Sequence, residues 1–94
     1  MSIEFPMIAI HKDIVLKLYN WMDYPKNKAA RNVETFDLKG NKLWVIESLG
    51  GDAHIDCYTH IASSKGTIHA FNFQCFDCVI DESTGKVLSK KFTK

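Results

Sequence analysis

Several features that would assign this 94-residue chain to a large protein class are missing. No apolar run approaches the ~20 residues that a membrane-spanning helix needs, because the longest stretches cover only residues 7–10 and 14–16. The N-terminal segment has no basic stretch followed by an apolar run, so we expect no secretory signal peptide. The net charge is +1, which gives no reason to expect direct binding to nucleic acid. A membrane protein and a nucleic-acid-binding protein are therefore both disfavoured.

Cysteine is scarce and odd in number, with thiols at Cys57, Cys75 and Cys78. An odd count without an export signal favours a cytoplasmic protein whose three cysteines are free thiols. Cys75 and Cys78 match a C-x-x-C string, but their segment has the character of a β-strand, in which an offset of three puts two side chains on opposite faces. We therefore expect neither a redox pair nor a zinc knuckle, and no cofactor.

Catalytic motifs are missing as well. No serine lies in a nucleophile elbow, no pair of carboxylates is framed by a motif, and no glycine-rich loop is placed to cradle a phosphate. Asp37 and Asp81 both begin turns, where a carboxylate accepts hydrogen bonds from nearby backbone amides and so has a structural role. The sequence therefore predicts a protein that is not an enzyme.

The composition itself is that of an ordinary globular protein, with 46% hydrophobic and 24% charged residues. This length and composition predict a single domain over residues 1–94. Strand-forming segments at 32–37 and 42–46 flank one turn, and segments at 76–81 and 87–92 flank another. Both turns begin with Asp and contain Gly, which is typical of β-hairpins with a short loop.

The remaining segments extend the β pattern. Residues 5–11, 54–62 and 67–74 have strand character, with a turn at 63–66 between the last two. We interpret 14–22 as a further strand, and a single amphipathic helix there is the alternative. Seven or eight short strands joined by short loops favour an antiparallel meander. The predicted fold is therefore all-β, arranged as a curved sheet, a half-barrel or a small sandwich.

The histidines suggest one candidate for chemistry. His54, Asp56 and His60 would share one face of a strand, and a turn that pairs Ala62 with Thr67 would put His60 opposite His69. Two imidazoles and a carboxylate could bind zinc or serve in hydrolysis. A one-residue slip of register would separate them, and polar histidines facing solvent or a partner are the simpler interpretation. The alternative function is thus a small metal-binding or hydrolytic protein that uses His54, Asp56, His60 and His69.

The tryptophans have two different contexts. Trp44 lies in an apolar strand and is expected to anchor the core. Trp21 lies beside Asp23 and Tyr24, just ahead of the polar loop at 23–31. Aromatic side chains next to acidic ones at the edge of a loop are typical of protein–protein contacts. We therefore expect a binding surface at this loop edge, with a cap on the core as the alternative role for Trp21.

Three segments carry a resemblance to a known family. They are residues 31–44 (RNVETFDLKGNKLW), 66–73 (GTIHAFNF) and 80–94 (IDESTGKVLSKKFTK). In these the chain is similar to small bacterial immunity proteins of polymorphic-toxin and contact-dependent growth inhibition systems. The resemblance covers roughly residues 31–94 and rests on turn and core patterns. It implies a cytoplasmic protein that binds a cognate toxin domain, commonly a nuclease, and blocks it.

A nuclease active site is basic, so an inhibitor is expected to offer it carboxylates. From this chemistry the expected partner-binding residues are Trp21, Asp23, Tyr24, Asp52, His54, Asp56 and Tyr58. The protein is expected to be a monomer before it binds the toxin, with no direct contact to nucleic acid or membrane. A small homo-oligomer that pairs through an exposed strand edge is a third interpretation.

Overall fold

The structure is a computed structural model that describes residues 5–25, 27–50 and 56–93. Across these residues the chain forms eight β-strands and one short 3-10 turn at Trp21–Asp23. The strands are β1 (Met7–His11), β2 (Ile14–Leu18), β3 (Val33–Asp37), β4 (Lys42–Val45), β5 (Tyr58–Ser64), β6 (Thr67–Asn72), β7 (Phe76–Ile80) and β8 (Val87–Phe92).

The strands form two antiparallel sheets of four, in simple chain order. Sheet A has the order β1-β2-β3-β4, and sheet B has the order β5-β6-β7-β8. Every neighbouring pair is antiparallel, because each loop within a sheet returns the chain to the adjacent position. The predicted all-β meander is thus confirmed.

The two Asp-started turns close their hairpins as the sequence predicts. The Asp37 carboxylate accepts hydrogen bonds from the backbone N–H groups of Lys39 and Asn41, each at 2.9 Å. These bonds hold the pKa of Asp37 below its ordinary value, with the bond from Asn41 as the largest cause. Asp81 accepts from Ser83 N–H at 2.8 Å in the second turn. In both turns a local hydrogen bond to Asp fixes where the strand ends.

The inner faces of both sheets share one core. It consists of Ile14, Leu16, Leu18, Val33, Trp44, Ile46, Tyr58, Ile61, Ile68, Ala70, Cys78 and Ile80. Trp44 is an anchor of this core, as expected, and its indole N–H donates to the Glu82 carbonyl across the two sheets at 3.0 Å. The turn that begins at Asp81 packs closely against the Trp44 indole, because Gly85 of this turn lies against the ring. Gly85 also has a φ of +78°, which favours glycine.

A polar seam also joins the sheets. The buried Asn32 amide donates to the carbonyls of Tyr19 and Tyr58 and accepts from Tyr58 N–H, each at 2.8 Å. The buried Asp56 carboxylate accepts from the backbone N–H groups of Leu49 and Gly50 and from the Asn72 amide. Buried polar groups that are satisfied in this way fix one relative placement of the two sheets.

Two local expectations from the sequence are decided here. Residues 14–22 do not form a helix: β2 ends at Leu18, and the 3-10 turn begins at Trp21. Cys75 does not lie inside a strand, because it occupies the β6–β7 turn with a φ of 70°, whereas Cys78 lies in β7 and is buried. All three cysteines are free thiols in the structure. No helix among residues 5–25, 27–50 and 56–93 is long and apolar enough to cross a membrane.

Candidate functional site: the outer face of sheet A

The outer face of sheet A carries apolar side chains that no other part of the described chain covers. The register aligns Ile10 of β1 with Val15 of β2, and Val15 in turn with Phe36 of β3. The neighbouring row contains Ile8, Lys17 and Glu34. Ile8 and Ile10 are 50% and 58% exposed, and Leu38, just beyond β3, is 72% exposed. We call Ile8, Ile10, Val15, Phe36 and Leu38 the apolar face.

The apolar face has a shallow depression in it. Val15, Phe36 and Leu38 contribute to its walls, together with Lys17, Asp37 and Gly40, and its volume is about 320 Å³. The Lys17 ammonium lies 4.8 Å from the centroid of the Phe36 ring, in the range of a cation–π contact. Contiguous exposed apolar surface of this kind is typical of interaction sites on soluble proteins.

A 3-10 turn follows the end of β2. Its N-cap is Asn20, whose side chain accepts from Met22 N–H at 3.0 Å. Tyr24 follows the turn, and its pKa is raised first by burial and then by the Glu34 carboxylate. Met22 and Asp23 are exposed. The turn therefore presents one apolar and one acidic side chain to solvent.

The predicted aromatic residues of this loop edge have a mixed environment. Trp21 and Tyr24 are half-buried and pack on the small second cluster formed by Ala30 and Cys57. Each thus covers part of the protein's own interior and still exposes an edge. The structure keeps Trp21, Asp23 and Tyr24 together at the 3-10 turn.

The prediction that two other residues, Asp56 and Tyr58, lie at the surface and contact a partner is wrong. Asp56 and Tyr58 are each 1% exposed, so neither is available to a partner in this structure. Asp56 is used in the polar seam, and the Tyr58 hydroxyl donates to the Glu47 carbonyl at 2.7 Å. Burial is the first cause of a strongly raised pKa at Tyr58. Asp52 and His54, which were predicted beside them, lie outside the described residues.

The predicted opposition of His60 and His69 is also wrong. The β5–β6 loop is tighter than expected, with Ser64 paired to Thr67, so His69 lies opposite Ala62 and His60 lies opposite Phe71. The two-residue loop requires positive φ at Lys65, which has 52°, and at Gly66, which has 77°. A lysine in that conformation gives no clear signal in the sequence.

The new register still leaves both histidines on the outer face of sheet B. The His69 Nδ1 atom lies 3.0 Å from an Asp77 carboxylate oxygen, and the His60 ring lies 5.9 Å from that of Phe71. Among the residues that the structure describes, no group of three or more His, Cys, Asp or Glu side chains could hold a metal ion. The His69–Asp77 contact is a half-buried pair of polar side chains on this face.

The sequence analysis missed one polar cluster. His11, at the end of β1, is 1% exposed; its Nδ1 lies 2.6 Å from the Ser63 hydroxyl, and its Nε2 lies 3.4 Å from the Glu82 carboxylate. The Lys12 ammonium donates to the same carboxylate at 2.9 Å, and these two side chains lower the pKa of Glu82. Because the imidazole is enclosed, the cluster ties β1 to sheet B and does not expose a general base. The sequence did contain one signal for this cluster: His11 is on the same face of β1 as Met7 and Ala9, which points inward.

Another depression, of about 290 Å³, lies where β4 ends beside the second turn. Arg31 and Glu47 line it, but both side chains are already hydrogen-bonded to backbone groups. The Arg31 guanidinium donates to the carbonyls of Ile46 and Val45, and the Glu47 carboxylate accepts from Val87 N–H at 2.9 Å. This depression therefore has a structural explanation.

Fold and surface together define a small two-sheet antiparallel β domain with an exposed apolar sheet face. The chain belongs to the family described as a domain of unknown function, DUF7957, whose model matches residues 5–92. No curated protein matches the chain. No solved structure matches it either.

Proposed function

We propose that this chain is a protein-binding domain that acts as an immunity protein. It binds a cognate toxin domain, a nuclease with a basic surface, and blocks it in the cytoplasm. The observation that carries the binding function is the apolar face, with Ile8, Ile10 and Leu38 each at least half exposed. Water contact with such a patch is unfavourable, and burying it against a partner releases about 25 cal/mol per Å² of apolar area.

The composition of the surface supports a protein partner. Aromatic and branched apolar side chains form the centre, and charged groups such as Lys17 and Glu34 lie beside them. An apolar centre with a polar rim is the usual composition of a specific protein interface. A flat sheet face with half-exposed isoleucines matches a broad protein surface better than a small ligand, which is usually enclosed in a deeper pocket.

Acidic side chains near the 3-10 turn support a basic partner. Burial is the largest cause of the raised pKa of Tyr24, and the Glu34 and Asp23 carboxylates add to it. Asp23 is exposed in the 3-10 turn, where its carboxylate is accessible. Acidic groups of this kind steer a basic partner and fix its orientation more than they add raw affinity. The resemblance to immunity proteins supports the same class of partner.

Co-expression with the toxic domain encoded beside this gene tests the proposal. We expect the wild-type chain to protect growing cells and to co-elute with the toxin on gel filtration. The variant Ile10→Glu puts a charge on the apolar face and should abolish both effects. Leu88→Glu is the matched control, because Leu88 is 63% exposed but lies on β8 of the other sheet. If cells that co-express the toxin and the wild-type chain die, and no complex is detected, the immunity function is contradicted.

A further inference from the structure

Among the described residues, one of the four edge strands, β1, has neither a lysine nor a register shift against its neighbour. The edge strands are β1 and β4 in sheet A, and β5 and β8 in sheet B. β4 and β8 carry Lys42, Lys90 and Lys91, and β4, β5 and β8 each have a register shift against their neighbour. Lysines and bulges are the usual devices that prevent one edge from pairing with another.

β1 has neither device. All five of its residues pair with β2 in one regular register, and its sequence, MIAIH, contains no lysine, proline or acidic residue. The two outward side chains are the exposed Ile8 and Ile10. An edge of this kind, regular and apolar, is a template for the addition of another strand.

The hairpin determines which backbone groups β1 presents. His11 and Ile14 flank the two-residue loop at 12–13 and form the closing pair of β1 with β2. Hydrogen-bonded and non-hydrogen-bonded pairs alternate along an antiparallel ladder. The N–H and C=O groups of His11, Ala9 and Met7 therefore point towards β2, and those of Ile8 and Ile10 point to the open edge.

This arrangement is self-complementary. In an antiparallel pair of two β1 strands centred on Ala9, Ile8 of one chain lies opposite Ile10 of the other, and the reverse holds. Each of these two pairs exchanges its outward N–H and C=O groups, which gives four backbone hydrogen bonds. The same twofold operation puts four isoleucines side by side on one continuous eight-stranded sheet, as an isologous interface requires.

We propose that two copies of this chain associate through β1, antiparallel and in register about Ala9. The pairing joins the outer faces of two A sheets, so the apolar face of each copy continues into that of the other. The inference does not depend on the proposed function. Because the contact is one short strand, we expect a weak dimer, with a dissociation constant in about the micromolar range.

Sedimentation equilibrium without any partner protein tests this association. The average mass should rise from that of the 10.7 kDa chain towards twice that value as concentration increases. A mass that stays at 10.7 kDa up to about millimolar concentration would overturn the proposal. This experiment contains no toxin, so a chain that stays monomeric would not contradict the proposed immunity function. A chain that fails to bind a toxin would likewise not contradict the dimer.

Two matched double variants test the register. In Ile8→Glu/Ile10→Lys, each cross-chain pair joins opposite charges; in Ile8→Glu/Ile10→Glu, each joins like charges. Both remove the same apolar surface, and residue 8 lies beside Lys17 in both. Opposite and like charges in directly facing positions differ enough that the first variant should dimerise about tenfold more tightly or better. Equal dissociation constants, with both variants folded by circular dichroism, would overturn the register.

Discussion

The Asn32 side chain pairs with the backbone of Tyr58 through two hydrogen bonds, as a neighbouring strand would. Its Oδ1 atom accepts from Tyr58 N–H and its Nδ2 group donates to the Tyr58 carbonyl, both at 2.8 Å. Asn32 immediately precedes β3 of sheet A, and Tyr58 begins β5 of sheet B. The Asn32 amide therefore joins the two sheets directly at this point.

Replacing this amide by a carboxylate should destabilise the fold. In Asn32→Asp, a second oxygen would face the carbonyls of Tyr19 and Tyr58 in place of a donor, in a fully buried position. We expect a loss of about 3 kcal/mol or more, measured by urea denaturation. The control is Asn20→Asp, because Asn20 only accepts, from Met22 N–H, and an aspartate can do the same. Equal losses in the two variants would contradict this role for Asn32.

The polar seam gives a second prediction, for Asp56. Asp56→Ala leaves the N–H groups of Leu49 and Gly50 and the Asn72 amide without their acceptor. We expect a loss of about 3 kcal/mol in the free energy of unfolding. Asp23→Ala, at an exposed position, should change it by less than about 0.5 kcal/mol. Unchanged stability of Asp56→Ala would mean that its carboxylate isn't structural.

The two hairpin glycines give a third prediction. Gly40 and Gly85 both have positive φ, but an added Cβ at Gly40 meets nothing within 4 Å, whereas at Gly85 it would lie 2.8 Å from Cδ2 of the Trp44 indole. Gly40→Ala should therefore cost only about 1 kcal/mol of backbone strain. Gly85→Ala adds a clash with a core anchor and should cost about 2 kcal/mol more. Thermal unfolding that shows the same cost for both would contradict the close contact with Trp44.

The thiols give a fourth prediction. Cys75 is exposed, whereas Cys57 and Cys78 are buried. Burial, with the Asp77 carboxylate as the next cause, raises the pKa of Cys78 from 9.0 to about 11. At pH 8, alkylation of the native protein should modify one thiol rapidly, and Cys75→Ser should remove that fast phase. Fast modification of all three thiols would contradict the burial of Cys57 and Cys78.

The same shift has a consequence for stability. A raised folded-state pKa means that the folded protein holds the Cys78 proton more tightly than the unfolded chain does. The contribution of this group to stability is therefore complete below pH 9 and is lost as the pH rises towards about 11. Cys78→Ala should reduce the loss of stability over that interval, as measured by denaturation at several pH values.

The sequence was sufficient to predict the strands and the two Asp turns, because alternation and turn chemistry are local. Residues such as Asp37 and Gly40 act within their own hairpin. The contact surface was harder to predict because exposure depends on which strands pack together. Tyr58 and Asp56 belong to the seam between the sheets, and no local pattern separates a seam from a free surface. Ile8 and Ile10 have the pattern of core residues and are nevertheless exposed.

Titration of the proposed toxin domain with three forms of this chain tests the central claim most directly. Wild type and Leu88→Glu should bind with the same dissociation constant, in about the nanomolar range. Ile10→Glu, on the apolar face, should weaken binding by about 2 kcal/mol or more, roughly thirtyfold, with its fold unchanged by circular dichroism. Equal affinity of all three forms would contradict the assignment of this face as the binding surface.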